Sequence, residues 1–135
     1  MAGTGVPPLA VAAPSSRAVV LVVEDEFLIR IAICDELRDA GHRVIEAASA
    51  DEALAILQSG MDVDLIFSDV RTPGSINGLE LLAEVRKTTP GLPVIIVSGH
   101  VQPPDKAFDD ATDFLIKPYN LGNVVTLINN RLKFQ

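Results

Sequence analysis

The apolar residues of this chain fall into short unbroken runs. Between the runs, apolar and polar positions alternate at helical spacing. Val19–Val23 is uninterrupted and valine-rich, the pattern of a strand buried on both faces. Over 26–40, Ile29, Ile33, Leu37 and Ala40 share one helical face, while Arg30, Asp35, Arg38 and Asp39 lie off it. Gly41 is placed to end that helix. Arg43–Ala47 predicts a second, less apolar strand at a sheet edge. Ser49 and Glu52 have the spacing of a capping box for a helix over 50–59, closed by Gly60. Asp64–Ser68 predicts the third strand, and 78–88 a helix with Leu79, Leu82 and Ala83 inward. Pro93–Val97 predicts the fourth strand, with Pro93 first, where no ladder donor is lost. Pro103 and Pro104 confine any helix within 99–111 to residues 104–110. Thr112–Ile116 predicts the fifth strand. Asn120 is placed to cap a last helix with Leu121, Val124, Val125, Ile128 and Leu132 on one face.

Strands alternating with helices predict an α/β domain, a parallel sheet covered on both faces. One domain over 18–135 accounts for the pattern. Residues 1–17, rich in Ala, Pro, Gly and Ser and without periodicity, read as a flexible tail. The net charge of −7 and scattered basic residues argue against direct nucleic-acid binding. The longest wholly apolar run, residues 18–23, is too short to cross a bilayer, and no basic stretch precedes an apolar one at the N-terminus. No membrane contact and a cytoplasmic location are the expectation. Cys34 is the one cysteine; it has no internal disulfide partner and reads as packing.

Four of the runs end in residues suited to phosphoryl chemistry. Residues 21–23 lead into Glu24 and Asp25, 65–68 into Asp69, 94–97 into Ser98, and 114–116 into Lys117. Carboxyl ends of parallel strands share one edge, where ligands bind. Each residue alone has an ordinary reading: acids after strands favour helix N-termini, serines end many strands, and a lysine before a proline is commonly solvated. Together they suggest a site. Two carboxylates about 4 Å apart repel by about 4 kcal/mol at an effective dielectric of about 20. Three together therefore call for a cation or a shifted pKa. An all-oxygen set with open positions suits Mg²⁺, which shares substrate phosphate oxygens. Asp69, ending the most apolar central strand, is the better phosphoryl acceptor, with Glu24 and Asp25 holding the metal. Lys117 and Ser98 can contact phosphoryl oxygens. A cis Lys117–Pro118 bond is open to this sequence and would aim the lysine.

Residues 21–26 (LVVEDE), 65–82 (LIFSDVRTPGSINGLELL), 93–99 (PVIIVSG) and 114–119 (FLIKPY) together resemble the receiver domain of two-component response regulators, the CheY type. The resemblance covers residues 18–133. It implies a flavodoxin-like, doubly wound five-stranded parallel sheet of order 2-1-3-4-5. It implies that Asp69 takes a phosphoryl group from the phosphohistidine of a sensor histidine kinase or histidine phosphotransfer protein. It also implies Mg²⁺ held by Glu24, Asp25, Asp69 and the Arg71 backbone carbonyl, with Ser98 and Lys117 on the phosphoryl oxygens. Ser98 and Phe114 take the switch positions, although Phe114 has no hydroxyl and reads equally as a core residue. Arg71 and His100 stand where the family tunes phosphoryl lifetime; both read equally as loop residues.

Departures from the pattern are local. The loop after Asp69 is about one residue longer than usual, and Asn77 replaces a frequent aspartate. The Ser98–Lys117 segment is about three residues shorter, which predicts a short or irregular fourth helix. The expectation is a bacterial, stand-alone receiver with nothing after Gln135, acting on an unknown protein target. It is a phosphoacceptor that assists its own phosphorylation and dephosphorylation, not an enzyme of turnover. Three alternatives stay open: a receiver fragment of a longer hybrid kinase or regulator, a phosphorylation-independent pseudo-receiver, and a Mg²⁺-dependent phosphohydrolase. The third fits less well because 24–26 lacks an Asp-x-Asp pattern.

Overall fold

The computed structural model describes residues 18–99 and 109–133. The 1–17 tail, His100, and the predicted short fourth helix with its two prolines lie outside the described residues.

The elements in order are β1 (Val19–Val23), α1 (Phe27–Asp39), β2 (Arg43–Ala47), α2 (Ala50–Gln58), β3 (Leu65–Asp69), α3 (Gly78–Thr88), β4 (Val94–Ser98), β5 (Thr112–Ile116) and α4 (Leu121–Lys133). The sheet runs β2-β1-β3-β4-β5, with every pair parallel. This is the order the resemblance implies. Strands are added to one side of β1 and then, from β3 onward, to the other, so a crevice opens between the carboxyl ends of β1 and β3.

Period-two geometry sends alternate strand residues to opposite faces. Val20, Val22, Leu65, Phe67, Ile95 and Val97 pack with Ile33, Cys34 and Leu37 of α1 and Val124 and Ile128 of α4. Leu21, Val23, Ile66, Val94 and Ile96 pack with Ala50 and Ala53 of α2 and Leu81 and Val85 of α3. The central strands are buried on both sides, which is why they carry no polar residue until their carboxyl ends. Cys34 is a core residue, and burial pushes its thiol up to about 11.

Two predicted inward alanines face outward. Ala40 and Ala83 are exposed, and the buried residues of α3 are Gly78, Leu81 and Val85. An alanine fits either face of a helix, so the larger Leu and Val side chains set the rotation. β3 and β4 each lie one residue later than predicted. Asp64 instead accepts the Val19 N–H at 2.8 Å, and ladder pairing starts with Val20 opposite Leu65. The shift makes Asp69 the last residue of β3 and fixes its backbone beside Val97.

Half of the predicted capping box is present at α2. Ser49 Oγ accepts the Glu52 N–H at 3.1 Å, while the Glu52 carboxylate takes the Ala48 N–H at 2.6 Å instead of that of Ser49. The complete box lies at α3. Asn77 Oδ1 accepts the Glu80 N–H and Glu80 Oε1 accepts the Asn77 N–H, both at 2.9 Å. Asn120 caps α4 through the Asn123 N–H at 3.2 Å.

Candidate functional site at the carboxyl edge of the sheet

Glu24 follows β1 and is only 2% exposed. Its backbone is tied on both sides: its N–H donates to the Ala47 carbonyl at 3.0 Å, and its carbonyl accepts Arg30 Nη1 at 2.7 Å. Arg30 also pairs with Glu46 of β2 at 3.1 Å. The Glu24 carboxylate accepts the Glu26 N–H at 2.9 Å. Burial pushes Glu24 up to about 7; the Glu26 N–H and the Lys117 charge oppose this, and the Asp69 and Asp25 carboxyls add to it. Asp25, the next residue, is exposed.

Asp69 is buried at the end of β3, with its carboxylate held from two sides. Oδ1 accepts the Arg71 N–H at 3.2 Å, and Oδ2 meets Lys117 Nζ at 2.5 Å. Burial lowers the tendency of Lys117 to carry charge. The hydrogen bond and charge of Asp69, with Glu24 beyond, outweigh this and raise its pKa. The Lys117 backbone N–H donates to the Ser98 carbonyl at 2.8 Å, which anchors the residue beside the end of β4, and its peptide bond to Pro118 is cis. Tyr119 then turns its ring edge-on to Phe67, with centroids 6.1 Å apart, fastening the turn to the core. Ser98 is buried at the end of β4, next to this turn.

A cavity of about 390 Å³ opens here, lined by Asp25, Glu26, Asp69, Arg71, Gly99 and Lys117. Glu24 is not part of that lining; it is buried beside it, close enough for the Asp25, Asp69 and Lys117 groups to act on its carboxyl. Phe114 is partly buried against the α2–α3 side of the sheet. Arg71 is exposed at the mouth.

Two contributors escaped sequence reasoning. A side chain at Gly78 would place its Cβ 2.2 Å from the Asp69 carbonyl oxygen, so only glycine lets α3 start this close to the end of β3. The Gly78 N–H also donates to the Val70 carbonyl at 2.8 Å, closing the base of the loop. The glycine in the 65–82 segment is visible in the sequence, but its contact is not. The second is Asp51, on α2, which binds the middle of that loop through Ser75 and Ile76.

The family model described as the response regulator receiver domain matches residues 20–129. The chain belongs to this family. Among curated relatives, the sensor kinase CckA of Brucella abortus is 39% identical over 129 residues, covering 90% of this receiver and 13% of the kinase. A putative NtrX-like response regulator of Rickettsia felis is 38% identical over 117 residues, covering 84% of this chain and 24% of the regulator. The receiver thus spans a quarter or less of the length of these relatives. Among solved structures, the Thermotoga maritima response regulator TrrA in complex with Mg²⁺-BeF has a TM-score of 0.75 at 28% identity. That match covers 85% of this chain and 99% of TrrA.

The receiver's donor set fits Mg²⁺. Asp25 and Asp69 supply two hard carboxylates to one open cavity, and the loop carrying the Arg71 carbonyl borders it. Among the described residues no three His, Cys, Asp or Glu side chains gather into a closed metal cluster. Mg²⁺ does not require one, since it usually keeps several waters and takes one or two carboxylates. No helix among the described residues is long and apolar enough to cross a membrane.

Proposed function

We propose that this receiver accepts a phosphoryl group on Asp69 from the phosphohistidine of a sensor histidine kinase or phosphotransfer protein. The observation that carries the reading is the pairing of a buried, strand-end Asp69 with Lys117 at the mouth of an acidic cavity. An Asp69 carboxylate oxygen forms the new O–P bond as the P–N bond to the imidazole breaks. Asp25, Asp69 and the Arg71 carbonyl would hold Mg²⁺, with Glu24 behind them; when bound, the metal offsets charge on the transferring phosphoryl oxygens. Lys117 supplies a second positive charge there, and Ser98 a hydroxyl donor.

The donor must bring its histidine to the rim of this cavity. An apolar groove lined by Leu28, Ile29, Ala32, Pro118, Tyr119 and Leu121 adjoins it, sharing Glu26 and Lys117 with the site. Leu28 is 79% exposed and Phe27 60%. Exposed apolar side chains beside a charged crevice suit a helical partner surface. Once formed, the acyl phosphate draws Lys117 and Ser98 to its oxygens and biases two conformers that differ around Ser98 and Phe114. A protein target, in the cytoplasm, then senses the difference.

Borohydride reduction of the phosphorylated chain, followed by peptide mapping, tests the assignment. Reduction of an acyl phosphate converts aspartate to homoserine. Homoserine at position 69 supports the reading; homoserine elsewhere, or none from a chain that has gained a phosphoryl group, overturns it.

A further inference from the structure

The loop joining β3 to α3, residues 70–77, carries Arg71. Its middle is fastened to α2, chiefly by one carboxylate. Asp51, in the first turn of α2, accepts three hydrogen bonds: Oδ2 takes the Ser75 N–H at 3.0 Å and the Ser75 hydroxyl at 2.8 Å, and Oδ1 takes the Ile76 N–H at 3.0 Å. These contacts hold the Asp51 carboxyl below the usual carboxylate range. Gly74 passes directly over it at φ +109°, where a Cβ would sit 3.0 Å from the carboxyl carbon. Thr72 completes the fastening. Its Oγ1 accepts the Ala50 N–H at 3.2 Å and donates to the Ile76 carbonyl at 3.3 Å.

The loop is therefore fixed at three points. Gly78 closes its base on Val70, the Arg71 N–H holds Asp69 Oδ1, and Asp51 with Thr72 binds its middle to α2. Arg71 directly precedes Thr72, the first residue of the turn fastened to Ile76. We propose that Asp51 is a positioning residue: by clamping this loop to α2 it holds the Arg71 backbone at the depth where its N–H orients Asp69 and its carbonyl can face Mg²⁺. This inference rests on the phosphoacceptor reading and deepens it. Asp51 touches neither Asp69 nor the cavity, so it acts through the loop alone.

The substitutions make separable predictions. Asp51→Ala removes all three acceptor contacts. Thr72→Val removes the second arm, and Thr72→Ser keeps it. Ser75→Ala leaves both backbone contacts to Asp51 and is the mild member. Groups that orient metal ligands typically change affinity by about 10–100-fold when lost. For an exposed clamp one step further out, about a tenfold loss of Mg²⁺ affinity is expected for Asp51→Ala.

The test uses the full chain with MgCl₂ alone, by titration calorimetry, beside amide hydrogen exchange in metal-free buffer. The expected result is weaker Mg²⁺ binding in Asp51→Ala and Thr72→Val, near-native binding in Thr72→Ser, and faster exchange extending from Ser75 and Ile76 to Arg71. If exchange rises only at Ser75 and Ile76 while Mg²⁺ affinity is unchanged, the clamp is merely structural and the inference is overturned. If the wild-type chain binds no Mg²⁺, the phosphoacceptor reading fails first and the positioning role fails with it. A fall in melting temperature with native Mg²⁺ affinity also counts against positioning.

Discussion

The ammonium of Lys117 stands 2.5 Å from Oδ2 of Asp69, bridging 48 residues of sequence between the ends of β3 and β5. The contact serves two opposed demands. In the proposed phosphotransfer, Lys117 would offset charge at the buried Asp69 and later meet a phosphoryl oxygen. It also places a positive charge where a metal cation would approach. Lys117→Ala should therefore slow phosphoryl uptake from a small donor by about 10²-fold, as loss of a charge-stabilising donor commonly does. The same change should tighten Mg²⁺ binding by about fivefold, since a like charge at close range in a wet site contributes about 1 kcal/mol. Parallel measurement of uptake rate and Mg²⁺ affinity checks both signs; a loss of both would mean that Lys117 acts mainly in holding the fold.

Glu24 gives the site a pH dependence. Its carboxyl binds a proton more tightly folded, near 7, than its ordinary value of 4.5. The stabilisation from neutral Glu24 is complete below about pH 4.5 and is lost as pH rises through about 7. In metal-free buffer, the melting temperature of wild type should fall relative to Glu24→Gln across that window. Mg²⁺ affinity should move the other way, rising with pH as the proton leaves, and Glu24→Gln should flatten that rise. Calorimetric titrations at several pH values decide this.

Gly78→Ala should be disproportionately harmful for a one-carbon change. The new Cβ would lie 2.2 Å from the Asp69 carbonyl oxygen, a backbone atom that no side-chain rotation can move away. Overpacking of this kind costs about 1–3 kcal/mol. Urea denaturation should show that loss. Phosphoryl uptake should fall as well, because relief of the clash displaces the acceptor strand end.

Leu28 separates the two kinds of donor. It is exposed in the adjoining groove and does not line the acidic cavity. Leu28→Asp should leave uptake from acetyl phosphate unchanged while reducing transfer from a phosphorylated histidine domain. A wild-type rate of transfer from the histidine domain in the variant would place docking elsewhere.

The fold was legible because each buried strand is an unbroken apolar run and each helix carries a repeating face. The strand order of the sheet came from the resemblance, not from periodicity. Errors arose where a residue had no strong preference. Ala40 and Ala83 fit either helix face, and Asp64 and Asp69 flank the run 65–68, in a strand whose register is set against Val19 and Val20. Sequence placed Glu24 and Asp25 on an equal footing, but their surroundings differ: Asp25 is exposed and lines the cavity, whereas Glu24 is buried and accepts the Glu26 N–H. The contacts of Gly78 and Asp51 were invisible in the sequence: Gly78 approaches the Asp69 carbonyl oxygen, nine positions away, and Asp51 binds Ser75 and Ile76, 24 and 25 positions away. An N-x-x-E spacing at Asn77 and Glu80 did carry the signature of the α3 capping box.

The most direct measurement is intact mass after incubation with Mg²⁺ and acetyl phosphate, for wild type and Asp69→Asn, with and without chelator. A gain of one phosphoryl group in wild type, abolished by chelation and by Asp69→Asn, is the expected result. An equal gain in Asp69→Asn, or a gain in wild type that persists under chelation, would contradict Mg²⁺-assisted phosphorylation of Asp69.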